Sequence, residues 1–350
     1  MTLQTREGQL EVAVVGATGA VGREMLSILE ERDFPVAGLT PAASARSAGE
    51  RLPFGDGEVE VRPVEEVAFE DVDLALFSAG SEVSRTHAPR AVDQGAVVVD
   101  NTSAFRLEEE VPLVVPKVNG DELASFDAPG IVANPNCSTI QMVAALEPLR
   151  RAAGLERVVV STYQSASGAG QSGADELQSE IERWADRGEL REEDAPGEVF
   201  AHPLASEALP HIGSFGENGF TSEEMKMVNE TRKILAEPDL EVAARCVRIP
   251  SLRSHSESLT VDVERPIGEE EARAALEAAD GVRVVDRPER AEYPLGRRAS
   301  ETDPTWVGRI RRDPDRPATL HAWVVADNLR KGAALNSIQI AERLWDVDSP

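Results

Sequence analysis

The run Asn134-Pro135-Asn136-Cys137-Ser138-Thr139 puts a thiol where it can become a nucleophile. Ile140, Val143, Leu146 and Leu149 follow at the spacing of one helix face, which predicts a helix starting at or just after Cys137. At a helix N-terminus the aligned peptide dipoles favour thiolate over thiol, lowering the sulfur's pKa and making it reactive near neutral pH. Asn136 adds a side-chain amide suited to an oxyanion or a phosphate. Cys246, the second of the two cysteines, lies in the apolar run 242–249 and reads as a core residue. Two cysteines cannot make a disulfide framework, so a thiol is available for chemistry.

A second chemical feature stands near the start. Gly16-Ala17-Thr18-Gly19-Ala20-Val21-Gly22 follows a short apolar run and precedes the helix-like segment 21–29. A strand–turn–helix of this kind turns backbone N–H groups and the positive end of the helix towards a pyrophosphate, and its glycines let the backbone approach closely. The pattern is G-x-x-G-x-x-G. After the second strand no acidic residue is placed to bind a ribose 2′-hydroxyl. Ser44-Ala45-Arg46-Ser47 stands there instead, and a guanidinium beside two hydroxyls suits a 2′-phosphate. NADP is therefore expected rather than NAD.

These groups need scaffolds of different kinds. Apolar runs near 10–15, 36–39, 72–77 and 96–99, separated by turns and helical stretches, predict an α/β Rossmann-like domain with a parallel sheet. From about residue 134 the pattern changes. Longer strands at 158–163, 242–250, 258–264 and 319–326, with helices at 174–184, 222–235 and 269–279, predict an α+β domain. The polar stretch 186–197 and the charged stretch 309–316 read as surface loops or insertions. The amphipathic segment 335–345 is expected to return to the first domain. The expected division is 1–134 completed by 329–350, and 135–328.

In order and spacing, the turn at 16–22, the run 134–139, Tyr163-Gln164-Ser165-Ala166-Ser167-Gly168, Arg248-Ile249-Pro250-Ser251-Leu252-Arg253-Ser254-His255-Ser256 and Asp327-Asn328-Leu329-Arg330-Lys331-Gly332 resemble successive motifs of the aspartate-semialdehyde dehydrogenase family. The resemblance implies a glyceraldehyde-3-phosphate-dehydrogenase-like architecture and the reductive dephosphorylation of L-4-aspartyl phosphate to L-aspartate 4-semialdehyde through a Cys137 thioester. By the same resemblance Gln164 orients the acyl group and His255 is the general acid/base, titrating near neutrality. Arg248 grips the substrate carboxylate, Glu223 the ammonium, and Lys226 with Arg106 the phosphate. Without the resemblance, residues 223, 226, 230 and 233 read as a salt-bridged face of a surface helix, and only geometry can choose between Glu223 and Glu224. Further cofactor contacts are implied for Ser78 and Gly80, for Ser167 and Gly168 near the nicotinamide, and for Asn328. The family also implies a homodimer or homotetramer and a place in lysine, methionine, threonine and isoleucine biosynthesis.

Composition sets the limits. A formal net charge of −27 with only four lysines among 36 basic residues argues against nucleic acid as a partner. Neither a membrane-spanning apolar stretch nor the apolar core of a signal peptide is present, so a cytoplasmic enzyme is expected. Rival readings stay open, and malonyl-type or other semialdehyde dehydrogenases sharing the same motifs are one of them. An N-acetyl-glutamyl-phosphate reductase usually carries Gly-Cys-Tyr-Pro around its thiol, unlike the run at 134–139, and would have no use for Glu223. A catalytically silent nucleotide-binding paralogue would typically have lost Cys137 or His255.

Overall fold

A computed structural model describes residue 3, residues 8–189 and residues 197–347. The chain forms two compact units, Met1–Asn136 with Ala333–Pro350, and Cys137–Gly332.

In the first unit β1 (Leu10–Val15), α1 (Ala20–Glu31), β2 (Val36–Ala43), β3 (Arg51–Phe54), β4 (Gly57–Glu60), β5 (Arg62–Pro63), β6 (Leu74–Phe77), α2 (Ser81–Asp93), β7 (Val97–Asp100), α3 (Pro116–Asn119) and β8 (Ile131–Ala133) follow one another. Six strands form a parallel sheet in the order β5-β2-β1-β6-β7-β8, and β3–β4 is a separate hairpin. Its central strands are buried on both faces, as their unbroken apolar runs require. Leu10, Val12 and Val14 enter one core with Met25 and Ile28 of α1, while Ala13 and Val15 enter the other with Phe69 and Phe77.

The second unit opens on α4 (Cys137–Ala153) and continues through β9 (Arg157–Gln164), α5 (Gln171–Arg187), α6 (Ser222–Leu235), β10 (Glu241–Arg248), β11 (His255–Asp262), α7 (Glu269–Glu277), β12 (Val282–Val284), α8 (Gly296–Ala299), β13 (Thr305–Arg312) and β14 (Thr319–Ala326). Its sheet is mixed, in the order β10-β9-β11-β14-β13-β12. The last helix, α9 (Leu335–Trp345), buries Leu335, Ile338, Ile340, Ala341 and Leu344 in the same core as Leu10 and Val12, so the chain's end completes the first unit.

One expectation is corrected. Residues 309–316 are not simply a loop, because β13 continues to Arg312 and pairs with β14 through Arg311 and Arg312. Ile310 is buried between exposed Arg309 and Arg311, the alternation of a half-buried strand, and charge hid the period. A register shift between Gly308 and Arg311, with Arg309 at φ 53°, marks a bulge there. Most of the expected loop 186–197 lies outside the described residues.

Candidate active site

Cys137 is the first residue of α4, half-buried, with its sulfur not in a disulfide. The chain returns to it from the far end of the second unit. A Cβ added to Gly332 would stand 2.8 Å from the Cβ of Cys137, so only glycine lets that backbone pass.

The sheet carries the other groups. Arg248, at the end of β10, is in register with Gln164, at the end of β9, and His255 starts β11 one position before Ser256, the partner of Tyr163. Arg248, Gln164 and His255 thus end three adjacent strands, and all three are buried. Gln164 Nε2 donates to Glu223 Oε1 at 3.2 Å, and Lys226 Nζ meets Glu223 Oε2 at 3.0 Å. Arg248 Nη1 donates to the Ser165 carbonyl at 2.6 Å, and its guanidinium lies 5.9 Å over the Phe200 ring.

The two glutamates differ in what each is bonded to. Glu224 closes a capping box with Thr221 at the start of α6: the Thr221 N–H donates to Glu224 Oε2 at 2.8 Å and the Glu224 N–H donates to Thr221 Oγ1 at 3.3 Å. Its other oxygen accepts the Cys246 N–H at 3.3 Å. Glu224 is committed to backbone, and Glu223 is the carboxylate that joins Gln164 and Lys226.

His255 departs from the expectation of titration near neutrality. It is fully buried, and burial together with the Arg248 charge pushes its pKa down to about 3, so the ring is neutral at physiological pH. The Ser165 N–H donates to Nδ1 at 3.0 Å. A backbone N–H can only donate, so Nδ1 must accept and the neutral ring carries its proton on Nε2. Nε2 is buried and has no hydrogen-bond partner among the described residues. Gly168 lies against it, since an added Cβ there would stand 3.1 Å from Nε2 and 2.7 Å from Arg248 Nη1.

Asn328 and Ser167 back this arrangement. Asn328 Oδ1 accepts the Ser254 N–H at 2.8 Å and the Ser165 hydroxyl at 3.1 Å, and its Nδ2 donates to Ser167 Oγ at 3.0 Å. Ser254 sits at φ 72°, a left-handed turn that brings His255 onto its strand.

In the first unit, Gly16 has φ 94°, and an added Cβ would meet Ser78 and Ala79 backbone atoms at 2.8–2.9 Å. A Cβ on Gly22 would stand 2.1 Å from the Gly16 carbonyl oxygen, so the turn and α1 pack as a dinucleotide-binding turn does. Thr18, Gly19, Ala20 and Val21 complete the turn into α1, with Gly19 at its N-cap. Ser44, Arg46 and Ser47 follow β2, with Ser44 and Arg46 exposed. Gly80, at φ 92°, is the N-cap of α2 just past Ser78. These residues fit a dinucleotide: a Cβ at Gly16 or Gly22 would collide with backbone, and the Arg46 side chain is exposed.

Arg106 is buried, with Nε donating to the Asn134 carbonyl and Nη2 to the Asn101 carbonyl, both at 2.9 Å. Its loop is built on Asp100, whose carboxylate accepts from Ser84 Oγ, Thr102 N and Thr102 Oγ1 at 2.9–3.0 Å. Burial raises the Asp100 pKa and these donors work against the rise. Asn136, buried, ends the first of the two stretches that make up this unit. Sequence reading assigned nothing to Asp100 or Ser165; Ser165 stood inside a quoted motif, and Asp100 gave no signal beyond ending an apolar strand.

Comparison with known proteins gives the family. Residues 11–126 match the family described as "Semialdehyde dehydrogenase, NAD binding domain" and residues 146–331 "Semialdehyde dehydrogenase, dimerisation domain". The chain is 50% identical over 338 residues to the aspartate-semialdehyde dehydrogenase of Bacillus subtilis (strain 168), covering 96% of this chain and 97% of the relative. Among solved structures, aspartate semialdehyde dehydrogenase II of Vibrio cholerae, complexed with ASA, superposes with a TM-score of 0.92 at 45% identity, covering 97% of this chain and 99% of that one. The enzyme of Candida albicans, with NADP, superposes with a TM-score of 0.74 at 25% identity, covering 96% and 98%. With its sequence, fold and thiol-bearing helix in agreement, the chain belongs to the aspartate-semialdehyde dehydrogenase family.

Proposed function

We propose that this enzyme converts L-4-aspartyl phosphate to L-aspartate 4-semialdehyde and phosphate through a thioester on Cys137, with NADP as its cofactor. The observation that carries the reading is the set Gln164, Glu223, Lys226, Arg248 and His255 gathered in one unit, with Cys137 opening a helix of that unit. A buried guanidinium is what a substrate carboxylate needs, and a buried carboxylate what an ammonium needs.

The Cys137 thiolate attacks the acyl carbon, the C–O bond to phosphate breaks, and phosphate leaves towards cations, the role proposed for Lys226 and Arg106 with the Asn136 amide. Gln164 orients the acyl group. When bound, the nicotinamide supplies the hydride that reduces the thioester. The oxyanion then develops within reach of the His255 Nε2–H, and collapse of the thiohemiacetal returns the thiolate and frees the aldehyde. A substrate carboxylate on Arg248 offsets one of the two causes that depress the imidazole pKa, so the ring gains basicity when the site fills and can move the proton.

NADP over NAD is supported by Arg46 with Ser44 and Ser47 after β2. The turn at Gly16, Thr18, Gly19, Ala20, Val21 and Gly22 would hold the pyrophosphate, with Ser78, Gly80, Ser167, Gly168 and Asn328 as further contacts. A homodimer or homotetramer is proposed on the family description of the second unit as a dimerisation domain. No helix among the described residues is long and apolar enough to cross a membrane, and a cytoplasmic biosynthetic role is proposed with the function.

The test is phosphate-dependent reduction of NADP⁺ and of NAD⁺ with L-aspartate 4-semialdehyde. Turnover should need phosphate, vanish in Cys137→Ser and fall steeply in Arg248→Ala, while Arg46→Ala should raise the KM for NADP⁺ far more than that for NAD⁺. Binding of NADP without turnover of this aldehyde would overturn the substrate reading.

A further inference from the structure

The row of side chains directly beneath the site has a direction built into it. Thr162 lies two residues before Gln164 on β9, so both face the same side of the sheet. It is in register with Cys246 on β10 and with Glu257 on β11, and all three are completely buried. The Thr162 hydroxyl is the link upward. Its oxygen accepts the Val247 N–H at 3.3 Å, and it donates to Gln164 Oε1 at 3.0 Å. The first bond orients the second. Because the Val247 N–H can only donate, the hydroxyl proton is left to go to an acceptor, and Gln164 must present its carbonyl oxygen there. Gln164 Nε2 therefore points the other way, to Glu223 Oε1, whose second oxygen meets Lys226. Donors run one way from the backbone to the anion, an arrangement in which each bond polarises the next.

The Cys246 thiol beside it is directed at Met227 Sδ, 3.6 Å away; burial pushes its pKa far up and a hydrogen bond from the Thr162 hydroxyl works against that rise, so sulfur, a weak acceptor, competes with Gln164 Oε1 for the same proton.

We propose that Thr162 is a positioning residue for the reaction: its hydroxyl fixes which end of the Gln164 amide faces Glu223 and which faces the sheet. Without it the amide can turn over and set Oε1 against the Glu223 carboxylate, two acceptors with no proton between them. The inference rests on the proposed roles of Gln164 and Glu223 towards the aspartyl substrate.

The experiment compares Thr162→Val, Thr162→Ser and native enzyme, each also in a Gln164→Ala background, by steady-state kinetics with aspartate semialdehyde, phosphate and NADP⁺. Thr162→Val should lower kcat/KM for the aldehyde about tenfold, as loss of one buried hydrogen bond to a reacting-group partner does, and leave the KM for NADP⁺ within about twofold. Thr162→Ser, which keeps the hydroxyl, should stay within about threefold of native. In the Gln164→Ala background the Val substitution should cost less than about twofold, because its target is gone. A tenfold loss in both backgrounds, an equal loss in Ser and Val, or no loss in Val overturns the proposal. If Thr162→Val does not fold, the Ser variant and a crystal structure of Thr162→Ala decide it, the latter by whether the Gln164 amide stays on Glu223. Absence of aldehyde turnover by the native enzyme would sink the substrate reading instead, and the same structure would still score the positioning of Gln164.

Discussion

The Ser165 backbone N–H donates to His255 Nδ1 at 3.0 Å, and this one bond fixes which nitrogen of the buried imidazole carries the proton. The ring is held as the Nε2–H tautomer, pinned by a group that cannot change its protonation. The depressed pKa has a stability consequence. In the unfolded chain a histidine titrates near ~6.5, whereas in the fold it does so at about 3. Between those values the unfolded state binds a proton that the folded state refuses. His255 therefore permits full stability above ~6.5 and subtracts from it as pH falls towards 3, by up to ~1.4 kcal/mol per pH unit. Urea unfolding at pH 7.5 and 5.0 should show native enzyme losing about 2 kcal/mol more than His255→Asn over that interval. Parallel losses would show that the folded imidazole does protonate in this range.

Gly168 is a steric requirement rather than a backbone one. Its φ is not in the left-handed region, yet an added methyl would stand 2.7 Å from Arg248 Nη1 and 3.0 Å from His255 Cε1. Gly168→Ala should fold with a near-native Tm and raise the KM for aspartate semialdehyde by about tenfold or more, because the end of the Arg248 side chain must move aside and the His255 ring must give way with it. An unchanged KM would mean that Arg248 can retreat without losing its grip.

Adjacent glutamates should give opposite phenotypes. Glu224→Ala removes a capping box and should lower stability by about 1 kcal/mol while sparing the KM. Glu223→Ala removes the partner of Gln164 and Lys226 and should raise the aldehyde KM with a small change in Tm. Thermal unfolding beside kinetics on the two variants checks both, and an exchange of phenotypes would reverse the assignment.

Glu257 is fully buried, with neither carboxylate oxygen in hydrogen-bond geometry with any of the described residues; burial raises its pKa well above the usual carboxylate range, and the neighbouring Gln141 amide offsets this only in part. The sign is opposite to that of His255. The folded state holds a proton that the unfolded chain releases above ~4.5, so this contribution to stability is complete at low pH and lost as pH rises through the folded pKa. Glu257→Gln, neutral and of the same shape, should gain Tm relative to native between pH 5 and pH 8. A relative loss over that interval would mean that the carboxylate is ionised and paired.

What the sequence disclosed depended on whether a signal was local. The helix Ser222–Leu235 and the strand Thr319–Ala326 were legible end to end, since one opens on a capping box and the other is an apolar run with a clear stop. The hairpin of β3 and β4 was not, because Arg51, Glu58 and Glu60 mask its alternation. Cys137 could be placed at a helix start from the spacing of Ile140, Val143 and Leu146 alone. His255 could be named but its proton could not be counted, because burial and Arg248 come from elements far apart in the chain. Thr162 was within reach: two residues before Gln164 in a period-two strand is the same face, and a hydroxyl there needs a partner.

The first unit draws its core from both ends of the chain, with Ile338, Ala341 and Leu344 of α9 packed among Leu10, Val12 and Met25. The unit bearing Cys137 and His255 is by contrast one uninterrupted stretch, Cys137–Gly332. During synthesis the second unit therefore has its whole stretch of chain before the first unit has its last helix. The parallel sheet leaves the ribosome first but waits with an open apolar face for the last helix, while the thiol-bearing unit has every residue it needs before α9 is made. A nascent chain stalled after Gly332 would hold the reactive cysteine in a finished fold and the nucleotide-binding turn in an unfinished one.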